Sequence, residues 1–427
     1  MRPGDARFVA AMSDRPNDVC SLVASMAGQT RAMLHATDDH RRARIARRHG
    51  LAADHRYDTI EAATAAMTAL HATEASTPFL SLHARMRSVT VGDAEAVLYD
   101  ERSLVRLMAM RRTLWIVLRD LVPAVAGSAG RRVADVQRRG TVKEAVELEA
   151  RFGADWITTA AHRVVECLTG RELSAKQLRN ELPDLAGTFT AAPGAKWSTG
   201  VPIMTRLLVI LSASGEVVRG RNDGHWRISR PMWTSMHSWL GEPMVPTSPE
   251  TGYAEIVKRL LWTFGPVTED DLVWWLGSTK DAVRAAVADA GAIEVTLDGG
   301  STGWVLPDDT ADLELPAEME PWVALLPTLD PTTMGWRNRA FHLDPTHTPF
   351  LFDRAGNAGT TVWVDGRVVG CWVQDADERA ELILLEEVSA EAQRLLDIEV
   401  ARLDEFLRGE HITNVFASPQ MKHQRLS

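Results

Sequence analysis

The stretch ALHATEASTPFLSLHARM, residues 69–86, sets two histidines, a carboxylate, several hydroxyls and an arginine among apolar residues. The ring of His71 can take a proton from water near neutrality. Thr73 carries a hydroxyl able to orient that water, and Glu74 can bring negative charge beside a developing cation. The same residue types also serve as solvated capping groups between two helices, which is the competing reading. Geometry bears on the choice. Residues two apart point the same way along extended chain but diverge on a helix. Capping signals end one helix near Leu70 and begin another at Pro78, leaving His71 and Thr73 on the connection, free to face one ligand.

The elements that must position this loop follow from periodicity and caps. DDHRRARIARRHGL, from Asp38, reads as a basic amphipathic helix with Gly50 just past its end. YDTIEAATAAMTALHA opens with Asp58 and Glu61 at capping-box spacing. Ser76 or Thr77 caps the next helix and Pro78 starts it. A short helix from Asp93 to Tyr99 follows, then strands at 104–109 and 113–118 joined around Arg111 and Arg112. Helices followed by a two-stranded hairpin make a winged helix. The pattern recurs with a Ser174–Gln177 capping box, a helix over Ile203–Ala213 and a hairpin around Asn222-Asp223-Gly224. It recurs again with caps at Thr268–Asp271 and Ser278–Asp281 and strands near 293–297 and 303–306. Beyond Pro316 come apolar strands, one pair folded at Asp365-Gly366, then an amphipathic helix over about 389–408 and a frayed tail, SPQMKHQRLS.

The expected fold class is therefore α+β: three tandem winged-helix units, a small C-terminal β-barrel-like module and a terminal helix. The expected divisions are an extension over 1–35, then units at 36–125, 126–245 and 246–315, and the β module with its closing helix at 316–418.

Composition narrows the function. A chain of 427 residues exceeds one compact core. Lys plus Arg total 47 against 57 Asp plus Glu, a net charge of −10, which opposes chain-wide nucleic-acid affinity but leaves room for a local basic groove. Three scattered cysteines suggest neither disulfides nor a zinc site. No apolar run is long enough for a signal peptide or a membrane span, so a soluble, cytoplasmic and monomeric protein is expected. There is no Gly-rich phosphate loop, HExxH or nucleophile elbow, and no metal or cofactor is expected.

Arginines supply the binding candidates. Arg111, Arg112, Arg131 and Arg132 fall in a region poor in acids, and Arg219, Arg221 and Arg227 surround one hairpin turn with Trp226 between them. A planar guanidinium matches phosphate with two parallel hydrogen bonds. The competing reading of the hairpin is a solvated turn with Trp226 in the core. Trp262, Trp274 and Trp275 sit at helical core spacing and are expected to pack.

Four segments, LHATEASTPFLSLHARM, LVRLMAMRRTLWIVLRDL, WVALLPTLDPTTMGWRNR and VWVDGRVVGCWV, occur in that order. Together they resemble the bacterial tandem winged-helix family that includes the azinomycin-resistance DNA glycosylase and related crosslink-unhooking glycosylases. The resemblance implies winged helices and a barrel around a DNA-sized channel. It also implies a partner, double-stranded DNA carrying bulky alkyl adducts, and excision of N-alkylated purines in repair or genotoxin self-resistance. The family's Gln–apolar–Gln or Gln–apolar–Asp signature falls on His71 and Thr73, so this chain departs from it at both positions. Arg85, closing the family's Ala-Arg motif, joins the DNA-binding candidates. An alkylated purine is a cationic leaving group, so the enzyme must stabilise an oxocarbenium ion and place one water. His71, Thr73 and Glu74 are the catalytic candidates. The alternative is a catalytically inactive winged-helix DNA-binding protein, a regulator or adduct shield, whose binding would be salt-sensitive without base release.

Overall fold

The computed structural model describes residues 34–148, 153–189, 200–314 and 316–423. Nearly all of the expected N-terminal extension, with Cys20, lies outside these residues. Among the described residues the fold is mixed α and β, with five small sheets, none closed. Among the described residues no helix is long and apolar enough to cross a membrane.

In the first region, Thr37 caps the Asp38–Arg48 helix in a capping box with His40, and Gly50 follows at φ 63°. The Ile60–Ala66 helix is capped by Thr59, one residue later than Asp58, because Thr59 is extended and its hydroxyl accepts from Ala62 N–H. Glu61 is thereby released to accept from Ser103 Oγ at 2.6 Å. The Thr77–Arg85 helix carries Pro78 in its first turn; Ser76 precedes it in helical conformation and makes no side-chain cap. Leu104–Ala109 and Thr113–Leu118 pair antiparallel, and Leu70–His71 adds a short third strand to the edge of Thr113–Leu118.

The second region is built on helices Arg131–Leu148, Ala154–Leu168, Ala175–Glu181 and Ile203–Ala213. Its hairpin, Val217–Asn222 with Pro231–Ser235, is joined by a long loop instead of a tight turn at Asn222-Asp223-Gly224. Asn222 holds that loop shut: its side chain donates to Ile228 O at 2.9 Å and accepts from Arg230 N–H at 2.7 Å. The third region has helices Pro249–Phe264, Glu269–Leu276 and Lys280–Asp289, then strands Ile293–Leu297 and Thr302–Val305. Thr279, not Ser278, caps the last helix. His35–Ala36 pairs in parallel with Ile293–Leu297, so the start of the first unit joins the sheet of the third.

The C-terminal module is a correction to the expected barrel. Val323–Leu326, Thr361–Val364, Arg367–Gln374 and Ala380–Leu384 lie side by side in chain order as an open antiparallel sheet. A barrel requires its first and last strands to pair; here both are edges, and the Ala390–Leu407 helix packs against each. The tail is not frayed throughout. Ser418 is fully buried, and the Met421 thioether packs near Thr360.

One apolar core runs from the first region through the third into this module, while the second has a separate core around Ile157, Leu207 and Trp233. The helix after the His71 loop is the keystone of the larger core, and every residue from Thr77 to Arg85 is buried. Arg85 was expected on DNA. It is instead wholly buried, with Nη2 2.6 Å from Asp330 Oδ1 and Nη1 2.9 Å from Oδ2. Arg85 Nη2 also donates to Thr332 Oγ1 at 2.7 Å, and Ser81 Oγ donates to Asp330 at 2.7 Å. Removing one partner from such a pair strands a buried charge, whereas replacing both with apolar groups does not. Asp330→Ala should therefore cost about 3–5 kcal/mol in urea unfolding. The double change Arg85→Met, Asp330→Leu should recover most of that loss.

Candidate active site

The Ile60–Ala66 helix ends at Met67, and Thr68 turns the chain in left-handed conformation, φ 61°. Leu70 and His71 then align opposite Ile116 and Trp115. Ala72 N–H donates to Leu114 O at 2.8 Å, and Leu114 N–H donates to Thr73 Oγ1 at 3.3 Å. The loop is pinned to the middle strand of its sheet on both sides of Leu114.

His71 is 2% exposed and meets Trp115 edge-on, ring centroids 4.8 Å apart. Its Nδ1 accepts from Thr73 N–H at 3.4 Å, which in the neutral ring assigns the proton to Nε2. Burial, with Arg111 nearby, pushes its pKa down to about 3. This corrects the expectation of a base tuned to neutrality. A ring that resists protonation so strongly is a poor proton sink but a fixed dipole. Glu74 is also buried, and burial raises its pKa despite N–H groups of Phe416 and Val415. Its Oε1 accepts from Phe416 N–H at 2.8 Å, while Oε2 has no hydrogen-bond partner. Burial thus favours the neutral form of both the His71 ring and the Glu74 carboxyl.

Arg111, whose charge acts on His71, is one of a pair of desolvated cations completed by Arg339. Arg111 and Arg112 both occupy the hairpin turn with positive φ, 55° and 61°, a conformation unfavourable for side chains larger than Asn. The turn lays the Arg111 guanidinium 4.2 Å over the Trp274 ring. Arg339 approaches the same indole at 5.2 Å and Phe352 at 4.6 Å. Burial lowers the pKa of Arg111 to about 10, and burial with Arg111's charge does the same to Arg339. Asp271 is the acid that acts on Arg339, yet its oxygens are held by Thr268 and the backbone N–H groups of Arg337 and Asn338. Two cations that share aromatic faces without bidentate carboxylates suit an anion from outside. Arg339 and Trp274 were not named as binding residues from sequence. Arg339 lies in the motif ending WRNR, but nothing local announces its position.

The remaining arginines divide by what holds them. Arg112, Arg131 and Arg132 are exposed; Arg112 reaches Gln137 at 3.5 Å, and Arg132 Nε donates to Gly277 O at 3.0 Å. Arg219 lies 5.1 Å over Trp233, with its pKa pushed down to about 10 by burial and by Arg106. Arg221 is tied to Asp100, and Arg227 pairs with Glu410 at 2.6 Å. Trp226 sits in the core against Phe79 at 5.4 Å. Trp275 packs as expected, whereas Trp262 is 37% exposed with Arg48 over its ring.

His71 gives a direct check. An NMR titration of its ring should show no inflection between about pH 5 and 8. Arg111→Ala removes a repelling cation and should move the low pKa upward.

Residues 64–406, which contain the loop and both arginines of the Trp274 cluster, match the family described as DNA glycosylase AlkZ-like. The chain also superposes on the DNA glycosylase AlkZ of Streptomyces sahachiroi with a TM-score of 0.69 at 18% identity, covering 88% of this chain and 97% of that one. No curated protein matches the chain. With the matched span covering most of its length, the chain belongs to the AlkZ-like family of DNA glycosylases.

Proposed function

We propose that the protein is a monofunctional DNA N-glycosylase that removes bulky or crosslinking N-alkylated purines, with His-Ala-Thr standing where the family carries its glutamine signature. The observation that carries this reading is the 71–74 loop, pinned to its sheet by Leu114 with the Arg111 cation alongside. The three helix-and-hairpin units are read as winged helices that grip the duplex.

In the proposed reaction the C1′–N9 bond breaks and its electron pair leaves with the cationic purine, neutralising it. Water then adds to C1′ and loses a proton, leaving an abasic site. Ionised Glu74 offsets the oxocarbenium charge and takes the proton from that water. Neutral His71 and Thr73 orient the water by hydrogen bonds. Arg111 and Arg339 hold the flanking phosphate, keeping reactants in register.

The test is release of abasic sites from a duplex carrying a bulky N7-alkylguanine, read as alkali-labile strand breaks. Glu74→Gln should lower the rate about a hundredfold, with a smaller loss for Thr73→Ala. Activity supported by ionised Glu74 is lost as pH falls through its pKa. Because that pKa lies above the ordinary 4.5, the acid limb should sit above the usual carboxylate range and vanish in Glu74→Gln. A parent protein that leaves no abasic sites yet binds duplex with steep salt dependence would establish the non-catalytic alternative.

A further inference from the structure

The edge strand of the first region's sheet carries a cation without a partner. Arg106 lies within Leu104–Ala109 and is only 9% exposed. Among the described residues its guanidinium meets no carboxylate, carbonyl or hydroxyl. Nε is sealed, whereas Nη1 and Nη2 are not, so the tip of the fork stays open to a ligand. A guanidinium this desolvated is costly without a counter-charge. Other buried arginines of this chain have one, Arg44 in Asp309 and Arg85 in Asp330.

The neighbour of Arg106 raises the cost. Val217–Asn222 packs against Leu104–Ala109 and brings Arg219 into the field of Arg106. Arg219 was expected around the hairpin turn; it sits within the strand, its guanidinium 5.1 Å over Trp233. Its Nη1 donates to Ser229 Oγ at 3.4 Å, and its Nε is sealed without a partner. Glu172 is the acid beside this strand, but its Oε2 accepts from Arg221 N–H at 3.0 Å. Burial and Arg106 push the pKa of Arg219 down, with no acid acting to raise it.

Two desolvated like charges thus face each other from regions that have separate cores. Alone they repel, and the second region is pressed away from the first. An anion between them reverses the sign. Two planar forks match an oxyanion with parallel hydrogen bonds, and two positive charges favour phosphate, which approaches two negative charges near neutrality. We propose that Arg106 and Arg219 form a site for a phosphate oxyanion that bridges the first and second regions. The site does not depend on the chemistry of the 71–74 loop. Free phosphate and a phosphate of the DNA backbone share this chemistry, and the experiment separates them.

Thermal unfolding of the whole chain is compared in phosphate and in chloride at equal ionic strength. Phosphate should raise the parent's midpoint by about 2–4 °C beyond the change in Arg106→Met or Arg219→Met. In chloride both methionine variants should melt at or above the parent, because each loses a repulsion and keeps an apolar stem. Arg106→Lys keeps the charge without the fork and should retain only part of the phosphate shift. A parent shift matched by both methionine variants overturns the site, since phosphate then acts by exclusion from all of them alike. Earlier melting of both methionine variants in chloride also overturns it, by showing that each guanidinium is already satisfied within the chain. Affinity for a short unmodified duplex across a salt series identifies the source. A slope reduced by about one in Arg106→Met assigns the phosphate to DNA. An unchanged slope beside a lost phosphate shift assigns it to the free ion. Either result upholds the site, whether or not the parent excises a base.

Discussion

The buried pair of Arg85 and Asp330 is the interaction on which the geometry of this molecule turns. It locks the helix that leaves the 71–74 loop to the segment that follows the first strand of the C-terminal sheet. Thr77 Oγ1 adds a bond to Thr328 O at 2.8 Å near the helix start, and Arg402 donates to His83 O at 2.8 Å near its end. A helix held at its beginning, middle and end cannot rotate to re-aim the loop before it. The direction in which the chain leaves the loop is therefore set by the core beneath it.

The acidic balance of the chain acquires a meaning at this level. Acids are spent on arginines with structural work: Asp309 and Asp312 on Arg44 and Arg48, Glu399 on Arg56 and Arg402, Glu410 on Arg227. Arg111 and Arg339 are held by aromatic faces. Within an overall anion, cations without a carboxylate partner thus persist at particular places, among them the Arg111 turn beside Trp274 and the Arg219 site over Trp233. Net charge says little about such a surface, since pairing decides which charges remain to act at short range.

Local features were the most legible in sequence. The hairpin at 104–118, the Ile203–Ala213 helix and the capping boxes at Ser174 and Thr268 follow from side chains within a few residues of each other. The His71 loop was also placed correctly between two helices. Errors of one residue at Thr59 and Thr279 arose where two adjacent residues could both cap, and backbone conformation chose the second. What sequence did not disclose was long-range. Arg85 looked like any exposed arginine until Asp330 arrived from 245 residues away. Arg221 and Arg227 likewise meet acids from distant segments, Asp100 and Glu410. The open sheet could not be told from a barrel, because closure depends on whether two edges meet and not on the pattern within any strand. His71's low pKa belongs to the same class, being set by burial and by a cation from another element.

The bond from Phe416 N–H to Glu74 spans 342 residues. It places the two halves of one polar contact near opposite ends of the described chain. During synthesis the loop emerges early, but its carboxylate stays unsheltered until the segment around Phe416 has left the ribosome and docked. The order of translation thus delays this one contact: the Glu74 carboxylate finds its N–H partner only once nearly all of the described chain has been made.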